Sequence, residues 1–299
     1  MRLALAHRIA CGALGLLVAG CLAAMPAWGK SPATVHRAGA QPRCGSRPAT
    51  DPWLHVVWIV MENHGYGNVI GSPEAPYLNA LARHCGLATD YHAITHPSLP
   101  NYIAMTSGST QGITDDGDPA VNATGAPSIF SELPGRWVAY AESMRGRCEH
   151  SDSGNYAVRH DPAVYYTRLA SACRRYVRSL PRHPSIAAFT FVAPNLCHDM
   201  HDCPVATGDR WLRGFLPKLL AKRSYRRGRT AIFITWDEDG GSGGNRVPLI
   251  ALARSVPHGA RPGGFFTHYS LLRTTEDMLG LSPLAAAAGA PSMRGAFGL

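Results

Sequence analysis

Only 16% of this 299-residue chain is charged. That is low for a cytosolic protein and common in exported ones. No C-x-x-C pair is present, which disfavours a metal–thiolate site. No internal repeat is visible, so a solenoid or propeller is not expected. The net charge is +9, yet no aromatic-interleaved basic repeat accompanies it, and nucleic acid is not an expected partner. The denser basic stretch "KRSYRRGR" (222–229) reads first as a solvated helix end, and second as a contact for phosphate or anionic lipid. No acidic residue falls in the first 29.

That acid-free start has Arg2 and Arg8, then a long apolar run, then small residues. It reads as an export signal over 1–29. "LVAGC" offers lipidation at Cys21, and "PAWGK" offers ordinary release. The apolar stretch continues past Cys21, which favours release. A membrane-anchor helix ranks third, because the run is short and ends at proline. The expected location is secreted, periplasmic or at the cell envelope, with a lipoprotein through Cys21 as the variant.

Cys11 and Cys21 lie within the signal. Cys44, Cys85, Cys148, Cys173, Cys197 and Cys203 remain, an even number that suggests three disulfides in an exported chain. Proximity favours Cys197–Cys203 and Cys148–Cys173, leaving Cys44–Cys85.

Gly (31) and Pro (23) are plentiful, so many turns and long structured loops are expected. Residues 30–52 are a Pro/Gly-rich lead-in. Buried strands are expected at 53–63, 136–143, 186–195, 230–239 and 247–253, and helices at 75–85, 128–135, 209–224 (capped by Asp209) and 268–281. The alternation predicts an α/β fold with a largely parallel sheet over 53–282. The stretch 283–299, with "LAAAAGA", reads as a loose tail.

Polar residues gather where the strands end, and open α/β sheets build sites at the carboxyl ends of strands. "TWDEDGG" puts Asp237, Glu238 and Asp239 together; a divalent cation would turn their repulsion into binding. In "PNLCHDMHDC", Asp199 and His201 are spaced to aim at one ion, a mixture that suits zinc, iron or manganese better than calcium. His198 reads as a bystander. Glu62 and Asn63 follow the first strand and could supply oxygen ligands. His268 opens the last helix and could complete a metal site. The plainer readings are an acidic turn, a pinned polar loop, a strand-end cap and a helix-entry residue.

In "HPSLPNY", Ser98 lies between Pro97 and Pro100. A serine at a helix start is ordinarily a cap. It could also be a nucleophile for phosphorus, held where backbone N–H groups favour anions, with Asn101 donating to a phosphoryl oxygen. His96 hints at a hydrolase triad, but no G-x-S-x-G elbow surrounds Ser98.

"MENHGYGNVIG", "HPSLPNY", "PNLCHDMHDC", "TWDEDGG" and "THYSLLRTTEDMLGL" occur in this order. Together they resemble the bacterial phosphoesterase family of secreted acid phosphatases and phospholipase C enzymes, within the alkaline phosphatase superfamily. The nearer branch is the mycobacterial secreted acid phosphatase type, which includes phosphatidylinositol-3-phosphatases. The resemblance covers roughly 53–282. It implies an alkaline-phosphatase-like fold and a Ser98 phosphoryl-enzyme intermediate. It implies Asn101 as a phosphate contact, and Glu62, Asn63, Ser98, Asp237 and Glu238 around metal. Asp199, His201 and His268 match a second ligand group. "NYAVRHDP" makes Arg159 and His160 candidate substrate contacts, with His160 as a candidate proton donor. Where two-zinc relatives have Asp-His, this chain has Asp237-Glu238, a harder donor set that leaves calcium, zinc, magnesium and manganese open.

The expectation is an exported, metal-dependent phosphomonoesterase, probed against two alternatives: a phospholipase C-type phosphodiesterase and a non-catalytic metal-binding envelope protein. Its partners would be phosphate monoesters, phosphoinositides or phospholipids, with membrane-surface contact, and the chain would be a monomer.

Overall fold

The computed structural model describes residues 42–241 and 244–299. The export signal, Cys21 and most of the lead-in lie outside the described residues.

The strands, in chain order, are β1 (His55–Met61), β2 (Gly86–Ala88), β3 (Tyr91–His92), β4 (Trp137–Ala141), β5 (Val177–Ser179), β6 (Phe189–Ala193), β7 (Thr230–Trp236), β8 (Leu249–Leu252) and β9 (Phe266–Thr267). The helices are α1 (Tyr66–Val69), α2 (Pro76–His84), α3 (Ser98–Ser107), α4 (Pro119–Asn122), α5 (Ala170–Tyr176), α6 (Val205–Leu220), α7 (Arg223–Arg226), α8 (His268–Leu279) and α9 (Arg294–Phe297). The main sheet has the order β2-β8-β7-β1-β6-β4-β5. It is parallel except at β8, which runs against both β7 and β2. β3 and β9 form a separate parallel pair.

The central strands are continuous apolar runs because both faces are covered. All seven residues of β7 are buried, as are the last six of β1. Trp58 of β1 stacks edge-on against Phe189 and donates its indole N–H to Thr275 of α8 at 3.0 Å. Register then sets chemistry. Met61 pairs with Trp236, so Glu62 and Asp237 leave adjacent strands side by side. Glu62 N–H donates to the Asp199 carbonyl at 2.9 Å, which brings the β6 end to the same point.

The disulfides join Cys44–Cys85, Cys148–Cys173 and Cys197–Cys203. The first ties the end of the lead-in to the C-terminus of α2.

Three local expectations are corrected. Residues 128–135 form turns instead of a helix: Ser131 Oγ bonds the Ser128 carbonyl, diverting the backbone, and Pro134 follows at once. Asp209 does not cap α6, which begins at Val205. It caps α2 instead, accepting from Leu78 N–H at 2.8 Å and Tyr77 N–H at 3.2 Å. The tail is not loose. Ala287, Met293 and Phe297 are buried, Leu284 N–H donates to Glu276, and Met293 N–H donates to Thr274 of α8.

Candidate active site

Three neighbouring strand ends meet at one buried cluster. β1 delivers Glu62 and Asn63, β7 delivers Asp237, and the loop after β6 delivers Asp199. The 3₁₀ turn Val158–His160 brings His160 in from the side. Glu62, Asp199, Asp237 and His160 are all buried. Asn63 takes a left-handed φ of 52°, which asparagine tolerates. That turn lets its N–H reach Asp237 Oδ1 at 3.2 Å. Gly240 packs over it so closely that a Cβ there would lie 2.9 Å from the Asn63 carbonyl.

Ser98 occupies the first turn of α3, and its Oγ donates to Glu62 Oε2 at 3.1 Å. Tyr102, one turn on, donates to Glu62 Oε1 at 2.5 Å. His160 stacks on Tyr102. Its Nε2 lies 3.2 Å from Glu62 Oε1 and its Nδ1 3.2 Å from Asp199 Oδ2. Neither contact has hydrogen-bond geometry. His160 Nε2, Asp199 Oδ2, Asp237 Oδ2 and Asn63 Oδ1 are buried without a hydrogen bond from any described residue.

Such a set is costly without a cation. Burial, then the charges of Asp237 and Asp199, push the Glu62 carboxyl well above its ordinary value. Burial and neighbouring Glu238 do the same to Asp237. Burial raises Asp199 to about 7. Burial, with Arg159 and His201 nearby, holds His160 well below the usual imidazole value, which favours the neutral ring, the form that ligates metal. Ligand atoms of Glu62, His160 and Asp199 lie within 4.8 Å of one another. Orphaned oxygens facing a neutral imidazole fit a divalent cation of borderline hardness.

The other residues expected at the site fall elsewhere. Both nitrogens of His268 are engaged: Nδ1 meets the Tyr91 hydroxyl at 2.8 Å, and Nε2 meets the Asp237 backbone carbonyl at 2.7 Å. His268 therefore positions Asp237 and does not reach the cluster. His201 turns outward to Asp202 at 2.6 Å, and only its backbone N–H serves Asp199. Glu238 meets Asn101 and His96, accepting from Asn101 at 3.1 Å and lying 3.1 Å from His96 Nδ1. Asn101 is not free to meet a phosphoryl oxygen. Its Oδ1 accepts from Ile94 and Thr95 N–H, and its Nδ2 donates to the Thr95 and Pro97 carbonyls. It braces the proline bend. His160 lies among the acids, buried, instead of at the mouth where a proton donor would stand. Arg159 is at the mouth, loosely between Asp116 and Asp152 at 3.9 Å each, with Nη2 3.4 Å from His201.

Sequence reasoning missed Tyr102 and Asp116. Tyr102 carried a signal: it lies four residues after Ser98, hence on the same helix face. Asp116 carried none. Its Oδ1 accepts the Leu99 N–H at 2.8 Å from a loop 17 residues away.

A family model described as Phosphoesterase family matches residues 72–282. A phosphatidylinositol-3-phosphatase of Mycobacterium tuberculosis is 32% identical over 87% of this chain and 88% of its own length. An acid phosphatase of Aspergillus fumigatus is 27% identical over 76% of this chain, which spans only 55% of that protein. Among solved structures, an alkaline phosphatase superfamily protein from Vibrio parahaemolyticus superposes with a TM-score of 0.54 at 14% identity, covering 84% of this chain and 74% of that one.

Proposed function

The chain belongs to the phosphoesterase family and is a phosphoric ester hydrolase, and from that premise we propose that it is an exported, cation-dependent phosphomonoesterase working through Ser98. One observation carries the reading: a serine at the start of a helix has its hydroxyl on a buried carboxylate that belongs to a cluster of orphaned ligand atoms.

Glu62, Asp199, Asp237 and His160 would hold the cation, with the Asn63 amide oxygen beside them. When bound, it supplies positive charge that keeps the acids ionised and offsets charge on phosphoryl oxygens. The chain's own residues do the rest. Tyr102 and the α3 backbone fix the distance between Ser98 and Glu62. The Ser98 proton passes to Glu62 as Oγ attacks phosphorus; an O–P bond forms and the bond to the alcohol breaks. His96, half-exposed and paired with Glu238, returns a proton to the leaving alkoxide. Burial pushes the Glu238 carboxyl up to about 7. Arg159 closes on the incoming phosphate from the mouth. Water then takes the phosphoryl group from Ser98. Three disulfides and low charge support folding in an oxidising compartment.

The test combines metal analysis of the purified protein with a panel of p-nitrophenyl phosphate, soluble phosphoinositide headgroups and phosphatidylcholine, for wild type and Ser98→Ala. Monoester turnover that falls at least about a thousandfold in Ser98→Ala is expected. Unchanged turnover in that variant would remove Ser98 as nucleophile. Lipid cleavage without monoester turnover would favour the phospholipase C reading.

A further inference from the structure

The edge of the main sheet opposite the catalytic mouth carries a second feature. The site lies at the carboxyl ends of β1, β6 and β7. Leu54 and Arg229 precede β1 and β7, and so lie at the other edge. Arg254 follows β8, which runs against β7 with Leu252 opposite Ile232, and returns to that same edge. The lead-in packs there too: Ser46 and Arg47 N–H donate to the Arg254 carbonyl. The Arg254 guanidinium is fixed on the Arg226 carbonyl at 2.8 Å and on Ser46 Oγ at 2.6 Å.

Arg43, Arg47, Arg226, Arg229 and Arg254 thus share one face. Arg254 is half-buried and the other four are exposed. None forms an ion pair with a described carboxylate; the arginine pairs among the described residues involve Arg159, Arg273 and Arg294. Burial and the charges of Arg47 and Arg43 hold Arg254 below its ordinary value, as expected for cations close together without a counter-charge. Within this face Leu54 exposes 40% of its surface, one of the few large apolar side chains to do so.

We propose that this face docks on an anionic lipid surface, leaving the catalytic mouth turned toward solvent. Unpaired guanidinium groups beside an exposed leucine match a headgroup layer, where phosphates meet the arginines and the leucine enters the acyl boundary. The covalent layout agrees. The described chain begins at Pro42, next to Arg43, and the sequence before it holds the long apolar run. An anchored form of the protein would therefore be tethered at this face. The Arg face is remote from the catalytic residues, so docking and turnover are separable.

Vesicle co-sedimentation tests this with the purified protein. Phosphatidylcholine vesicles are compared with vesicles containing phosphatidylglycerol, at low and high salt, for wild type and the triple variant Arg43→Glu/Arg47→Glu/Arg226→Glu. These three side chains make no described hydrogen bond, and the Arg→Gln triple serves if charge reversal lowers expression. The expected result is binding to the anionic vesicles only, weakened by salt, and weakened about a hundredfold or more in the variant. Hydrolysis of p-nitrophenyl phosphate should be unchanged in the variant and on vesicle-bound protein. Equal binding to both vesicle types, wild-type binding by the variant, preference for a duplex oligonucleotide over vesicles, or loss of soluble-substrate turnover on docking would each overturn it.

Discussion

Asp116 accepts the Leu99 N–H at the start of α3 and stands 3.9 Å from Arg159. A carboxylate oxygen there occupies the kind of contact a phosphoryl oxygen would seek: a helix N-terminal N–H beside a guanidinium. Asp116→Asn keeps the acceptor and removes the charge. The KM for p-nitrophenyl phosphate should fall about three- to tenfold with kcat within about twofold, since one like charge leaves the path of the incoming dianion. A raised KM would show that Asp116 serves the substrate. Tyr102→Phe takes a donor from buried Glu62 and unpins it from Ser98. It should lower kcat at least about tenfold, because leaving a buried acceptor unpaired costs about 1–3 kcal/mol. Steady-state kinetics separate the two.

At the scale of elements, Asp209 reaches from α6 to the first two free N–H groups it meets on α2. Asp209→Ala should destabilise the fold by about 1–2 kcal/mol, seen as a lower urea midpoint at unchanged slope. Glu276 on α8 holds the tail by accepting Leu284 N–H at 2.9 Å. Burial pushes its carboxyl up to about 7 from its ordinary value of 4.5. The folded state therefore binds this proton more tightly than the unfolded chain. The stability it contributes is complete below 4.5 and is lost as pH rises to about 7. Glu276→Gln keeps an acceptor and cannot ionise. The melting temperature of the wild type should fall relative to the variant across that window, and parallel profiles would contradict the assignment.

For the whole molecule, a cation held by the acid cluster, as proposed, would be coupled to the fold. A ligand held only by the native state adds stability that chelation removes. Prolonged chelator treatment should lower both the melting temperature and turnover at neutral pH, and a divalent cation should restore both. Turnover that survives complete metal removal would leave Ser98 and Glu62 acting without a cation. No helix among the described residues is long and apolar enough to cross a membrane.

Most of the architecture was legible because it is periodic and local. Continuous apolar runs announced β1, β6, β7 and β8, the ordered motifs announced the family, and Glu62, Asn63, Asp199 and Asp237 stood out as polar residues after strands, with Ser98 at a helix start. Ownership of contacts was not legible. Asp209 looked like the cap of its own helix and caps another. His268 and His201 carry ligand-type rings, yet Tyr91, the Asp237 carbonyl and Asp202 claim them. Asn101 braces the bend it sits on, and His160 lies among the acids. Spacing along a strand or helix determines which residues share an end or a face. Which nitrogen meets which oxygen depends on strand register, loop direction and burial, and these follow from packing between segments far apart in the chain.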